Sequence, residues 1–112
     1  MTKEQLRKYQ PLKREKAKIE QRLQQMERSP ESEEELLRPL REFYRAKLAE
    51  LVALQLDIER ALEALDDPTE RELVRLRYID GMEWYQVCAA INYEWTQTHR
   101  IHARVLKKLE RL

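Results

Sequence analysis

The sequence predicts an all-α protein, and three observations carry that prediction. Apolar residues recur at spacings of three and four over long stretches, 38% of the 112 residues are charged, and the chain holds 1 glycine. A backbone with so little glycine has few places for a positive φ, so tight hairpin turns are scarce and long helices are the natural solution. A β-sandwich is excluded on that ground. The length suits one compact domain, or a small domain with a helical extension, and leaves no room for an enzyme built from separate substrate lobes.

The first element opens at Thr2, which is spaced with Gln5 as a capping box. Tyr9, Leu12, Lys16, Ile19, Leu23 and Met26 then form one narrow apolar seam. Pro11 interrupts it, which predicts a kink or a frayed first segment, because proline lacks an N–H and clashes with the preceding turn. Ser29, Pro30 and the acidic run 31–35 break the pattern, and Ser29 and Ser32 are both helix-start signals. A second long helix follows, with Pro39 in or near its first turn. Its seam runs through Leu37, Tyr44, Leu48, Leu51, Gln55, Ile58, Leu62 and Leu65, widened by Leu40, Phe43, Leu54 and Ala61. Asp66, Asp67 and Pro68 end it.

Two helices of about 27 residues would each be about 40 Å long, so residues 1–67 read as an antiparallel helical hairpin. The same seams can pair between chains instead, with Lys16 and Gln55 limiting register, so a homodimer through a coiled-coil arm stands beside the hairpin reading. Functionally, this half reads first as a solvated, charge-laced helical spacer without any site.

After Pro68 the apolar residues cluster in three short blocks, which marks a separate domain over 68–112. Block one, 68–79, has proline at a helix start, Glu70 and Glu72 in the first turns, and Leu73, Val74, Leu76 and Tyr78 behind them. Asp80 and Gly81 stop it. Block two, 84–91, places Trp84, Val87, Cys88 and Ile91 at helical spacing, with Cys88 on the buried face. Asn92 stands where a left-handed residue closes that helix. Block three begins near Trp95 and carries Thr98, Ile101, Val105, Leu109 and Leu112 on one face, with Gln97, Arg100, Arg104, Lys107, Lys108 and Arg111 around the rest. A short helix, a tight turn and a longer helix with a polar outer face is the geometry that sets a recognition helix into the major groove of duplex DNA.

The charges sharpen this reading. The whole chain has a formal net charge of +1, which by itself argues for neither a nucleic acid nor a membrane surface. Yet residues 93–112 hold five basic residues (Arg100, Arg104, Lys107, Lys108, Arg111) against two acidic ones (Glu94, Glu110). The basic excess therefore lies on the third block, where phosphates would be met. Cys88 is the only cysteine, so neither an internal disulfide nor a cysteine-rich zinc site can form. His99 and His102 lack a third ligand nearby, and no acid-base pair, activated nucleophile or phosphate loop stands at usable spacing, so neither a cofactor, a metal nor an enzymatic activity is expected. The N-terminus lacks the unbroken apolar run of a secretory signal, and no stretch approaches the ~20 apolar residues of a membrane span.

The run DPTERELVRLRYIDGMEWYQVCAAINYEWTQTHRIHARVLKKL, residues 67–109, resembles region 4 of bacterial sigma factors. It is still more similar to the sigma-like C-terminal half of small phage late-transcription regulators of the ArpU/RinA type. The matching elements are ERELVRLRYIDG, the aromatic-led WYQVCAAI and the closing IHARVLKKL; the N-terminal EQLRKYQPLKREKAKIEQRL looks like the charged helical start of the phage proteins. The resemblance implies a DNA-binding transcription regulator acting on late genes in a bacterial cytoplasm, with RNA polymerase as a second partner.

The resemblance puts the base-reading positions at Trp95, Thr96, His99 and Arg100, with Gln97 alongside. It gives Arg104 a phosphate, and sets Arg77 and the second-helix start at Glu83, Trp84 and Tyr85 beside the backbone. The side chains suit those roles: Arg100 can fork onto guanine O6 and N7, Gln97 can pair with adenine, and Thr96 and Trp95 can touch a thymine methyl. Lys107 reads equally as a phosphate clamp or a solvated charge. Three departures stand out: Glu94 and Glu83 occupy the usual Ser/Thr cap positions, and Asn92 replaces the usual glycine. Two rivals remain: a protein-interaction module that docks to RNA polymerase, and a small-terminase-like component that recognises DNA for packaging.

Overall fold

The computed structural model describes residues 1–112 and is all-α, without strands. Helix α1 spans Lys3–Arg7, α2 Tyr9–Glu27 and α3 Glu34–Glu63, the last preceded by a 3₁₀ turn at Glu31–Glu33. Helix α4 (Pro68–Val74) runs into a π turn at Arg75–Ile79; α5 (Trp84–Ile91) and α6 (Trp95–Glu110) follow. No helix is long and apolar enough to cross a membrane.

The chain forms two compact units. One contains residues 1–10 and 56–112, the other 11–55. The division expected at 67/68 is thus displaced in both directions, and the reason is burial: Leu6, Tyr9, Ile58, Leu62 and Leu65 all bury their side chains in the unit that holds α4, α5 and α6. The start of the chain is tied there too, since the Met1 amine donates to the Leu109 carbonyl at 2.6 Å.

Within residues 11–55 the two helix segments form an antiparallel hairpin. Glu15 pairs with Lys47 at 3.7 Å, the Arg22 guanidinium lies 5.7 Å from the Tyr44 ring, and Arg41 donates to the Met26 carbonyl at 3.5 Å, so numbers rise on one segment as they fall on the other. The seam is thin: Ile19 and Leu51 are buried, while Leu12, Lys16, Leu23, Leu48 and Gln55 are half-buried. Leu40 and Phe43, expected to widen it, are instead exposed, Phe43 by 63%. A two-helix pair has only one facing side, and these residues point off its edge.

The expected helix signals act as their chemistry dictates. Thr2 N–H donates to Gln5 Oε1 at 2.8 Å and Gln5 N–H donates back to Thr2 Oγ1 at 3.3 Å. Pro11, with no N–H to offer the Arg7 carbonyl, ends α1 at Arg7 and leaves a break at Lys8. Pro39 lies near the first turn of α3, at its sixth residue, since that helix starts only after the 3₁₀ turn.

Candidate nucleic-acid interface

The helix-turn-helix is assembled from short signals. Asp67 Oδ1 accepts from Thr69 N–H at 2.8 Å and Glu70 N–H at 3.4 Å, and Pro68 occupies the first helical position of α4. Past Val74 the helix widens: Asp80 N–H reaches the Arg75 carbonyl at 2.8 Å, a five-residue step, and Met82 N–H reaches the Leu76 carbonyl at 2.9 Å. Carbonyls freed there find a donor in Gln10, whose amide bonds Ile79 and, at 3.4 Å, Tyr78. Gly81 turns the chain at φ 72°, and a side chain there would press on Gln10 at 3.4 Å.

Glu83 N–H donates to Gln86 Oε1 at 3.0 Å at the start of α5, so the reciprocal half of a capping box forms although the cap residue is a glutamate. Asn92 then adopts the left-handed conformation, φ 60° and ψ 44°, and Tyr93 N–H returns to the Cys88 carbonyl at 3.2 Å. That three-residue connection, 92–94, sets α6 against α4 and α5 through Val87, Thr98, Ile101, Val105 and Leu109, all buried. Cys88 is half-buried rather than core, since it edges the turn where α5 stops covering it.

This packing turns one face of α6 outward. Thr96, Gln97, Arg100, Lys107 and Arg111 are exposed on it, and Trp95 opens the helix with 57% of its surface exposed. The side chains of Arg100, Lys107 and Arg111 carry no ion pair or hydrogen bond, so the face presents three uncompensated cations beside two polar side chains. Tyr85, at 67% exposure, and Tyr93 line a surface groove with Trp95 at the helix-turn-helix corner.

The other residues expected at the interface are drawn toward the protein. His99 is half-buried, its ring centroid 4.4 Å from that of Trp95 and 4.6 Å from that of Trp84, and its Nε2 is buried without a hydrogen-bond partner. Arg77 stacks 4.9 Å above the Trp84 ring and donates to the Met82 carbonyl at 2.8 Å, which locks the turn before α5. Arg104 holds Glu70 through Nε at 2.8 Å, and Lys108 binds the same carboxylate at 2.8 and 2.9 Å. Glu70 is fully buried, so its charge needs both cations, and Arg104 is committed to it in the first instance.

Sequence patterning did not reveal three of these features. Glu70 reads as a first-turn acid suited to the helix dipole; the signal for its burial is the pair Arg104 and Lys108, one turn apart on α6. His102 is 8% exposed and shares a 2.6 Å hydrogen bond between its Nε2 and the Tyr78 hydroxyl. Burial, reinforced by Lys3, His99, Arg77 and Arg7, pushes the His102 imidazole down to about 4, so it is neutral at pH 7; burial also raises the Tyr78 phenol. Lys3, Arg7 and Gln10 belong to this unit only through long-range docking, which no local spacing encodes. No group of three or more His, Cys, Asp or Glu side chains is arranged to hold a metal ion.

Comparison with curated proteins and with solved structures returned no match. Residues 35–110, which take in nearly all of α3 and the whole of α4 to α6, match a family model described as Protein of unknown function (DUF1492), and the chain belongs to that family.

Proposed function

We propose that the chain is a sequence-specific duplex-DNA-binding regulator whose recognition helix, about 95–111, enters the major groove. The observation that carries this reading is the outward face of α6, where Arg100, Lys107 and Arg111 are unpaired beside Thr96 and Gln97. Cations without internal partners are available to displace counterions from phosphates, and an arginine and a glutamine on adjacent turns suit guanine and adenine edges. The resemblance to phage late-transcription regulators and to sigma region 4 supports control of late genes in a bacterial cytoplasm, in concert with RNA polymerase. Of the basic residues, Arg100 and Lys107 are the better probes, because removing Arg104 also takes one of the two cations from buried Glu70.

The test is affinity for a duplex selected from a random pool, measured across a salt series. Log K is expected to fall steeply with log salt, Lys107→Ala to flatten the slope by about one, and Arg100→Ala to relax one base preference at a cost of about 1–3 kcal/mol. If no duplex is selected and neither substitution changes anything, the reading falls. A second reading, a docking module for RNA polymerase, is favoured by the exposed aromatics Tyr85, Tyr93 and Trp95. It expects salt-insensitive binding to polymerase that Trp95→Ala abolishes and Lys107→Ala spares.

A further inference from the structure

Helices α1, α5 and α6 and the π turn line a half-open cavity of about 400 Å³ whose lining includes Lys3, Arg7, Arg77, Trp84, His99 and His102 and no acidic residue. Its cations are poorly compensated. Lys3 makes no ion pair or hydrogen bond, Arg7 meets only the exposed Glu4 at 3.6 Å, and Arg77 spends one nitrogen on a backbone carbonyl. Lys3 and Arg7 lie one turn apart on α1 and so share a face, and Arg77 lines the same pocket from the π turn.

We propose that this cavity is an anion site that takes a phosphoryl group, held by Lys3, Arg7 and Arg77 above the rings of Trp84 and His99. A stacked planar ligand is disfavoured because the Trp84 ring already carries the Arg77 guanidinium at 4.9 Å and is crowded by His99 and His102 at 4.6 Å each. A carboxylate would be satisfied by one guanidinium fork, whereas three cations on two separate segments match the spread charge and several oxygens of a phosphoryl group. Electrostatics agree: after burial, Lys3, His99, Arg77 and Arg7 are what keep a proton off His102, so positive potential converges at this spot. The cavity has room beyond a bare phosphate and opens to solvent, so a phosphoryl group carried on a larger body fits it. That body is either a sugar phosphate free in solution or the backbone of a bound duplex, the second source resting on the DNA-binding reading above.

The experiment titrates the full chain with ribose 5-phosphate, and with ribose as control, at fixed ionic strength, and reads the ring-proton shifts of His99 and His102 by NMR. Wild type is compared with Lys3→Ala and Arg7→Gln, both checked for an unchanged melting curve. Saturation by the phosphate but not by ribose, weakened about tenfold in each variant, establishes the site with a free ligand. Absence of saturation, combined with a salt slope for duplex binding that falls by about one in each variant, establishes the site with the duplex as its source. No saturation and an unchanged slope overturn the proposal. If no duplex is bound at all, the ribose 5-phosphate titration decides alone. Because Arg100→Ala lies outside the cavity, it reports failure of the DNA-binding reading separately.

Discussion

Glu70 shows how a single side chain constrains which cations of α6 are free to meet a ligand. It is fully buried and bonded by Arg104 and Lys108, whose own side chains are about half exposed. The consequences of removing either side are therefore unequal. With Glu70 replaced by glutamine, both cations rehydrate at the surface and little is lost. With Arg104→Ala and Lys108→Ala combined, a buried carboxylate is left unpaired, a situation that costs about 3–5 kcal/mol. The double variant is expected to melt well below Glu70→Gln in urea, and the triple variant carrying all three changes to recover most of the loss. Equal destabilisation by the two sides would mean that the carboxylate finds water. His102 adds a pH signature. Its folded-state value, about 4, lies below the ordinary 6.5, so the folded state binds fewer protons between those limits. The contribution to stability is complete above pH 6.5 and is lost as pH falls toward 4, by about 2 kcal/mol once solvent screening is allowed for. Chemical denaturation at pH 7 and pH 4.5 for wild type and His102→Gln checks this; the wild type should lose more than the variant, and parallel losses would assign the effect to carboxylates elsewhere.

At the scale of elements, the turn between α5 and α6 rests on Asn92, which holds φ 60° in a chain with one glycine elsewhere. Asparagine visits this region more readily than other residues that carry a β-carbon, while alanine suffers the full clash with the carbonyl. Asn92→Gly should leave the melting temperature unchanged or slightly raised, and Asn92→Ala should cost about 1 kcal/mol. A loss of similar size in both variants would show that the Asn92 side chain matters for its polar atoms rather than for its backbone. This turn, both long helices and the start of α6 at Trp95 are legible in the sequence, since caps, breakers and 3.6-residue periodicity are local properties. The π turn at Arg75–Ile79 is not. Residues 68–79 read as one regular helix, and the widening depends on Gln10, distant along the chain, supplying donors to carbonyls that regular pitch would have bonded. The same limit explains His99. The resemblance implies an outward-facing side chain there, but the two tryptophans that flank its ring come from different helices, and their packing draws it inward.

For the whole molecule, the main lesson concerns where the folding unit ends. The change of character at Pro68 is real in the sequence, yet a chain of residues 68–112 would lose Leu6, Ile58, Leu62 and Leu65, each no more than 3% exposed, from the core that α4 to α6 share. Burying a leucine or isoleucine contributes about 1.5–3 kcal/mol, so four of them exceed much of the 5–15 kcal/mol that separates folded from unfolded domains. The fragment 68–112 should accordingly show weak helicity and no cooperative melt by circular dichroism. A fragment of residues 56–112 regains Ile58, Leu62 and Leu65 and should melt cooperatively, though below the intact chain. Adding a peptide of residues 1–10 in excess should raise that midpoint, since it restores Leu6, Tyr9 and the Gln10 bonds to the π turn. Leu6→Ala in the peptide, expected to cost about 2–4 kcal/mol in the intact chain, should abolish the rise. If 68–112 melts as cooperatively as the full chain, the N-terminal turns and the end of α3 merely rest on a self-sufficient three-helix domain. The cavity bordered by Lys3 and Arg7 would then depend on a segment free to leave, rather than on one built into the core.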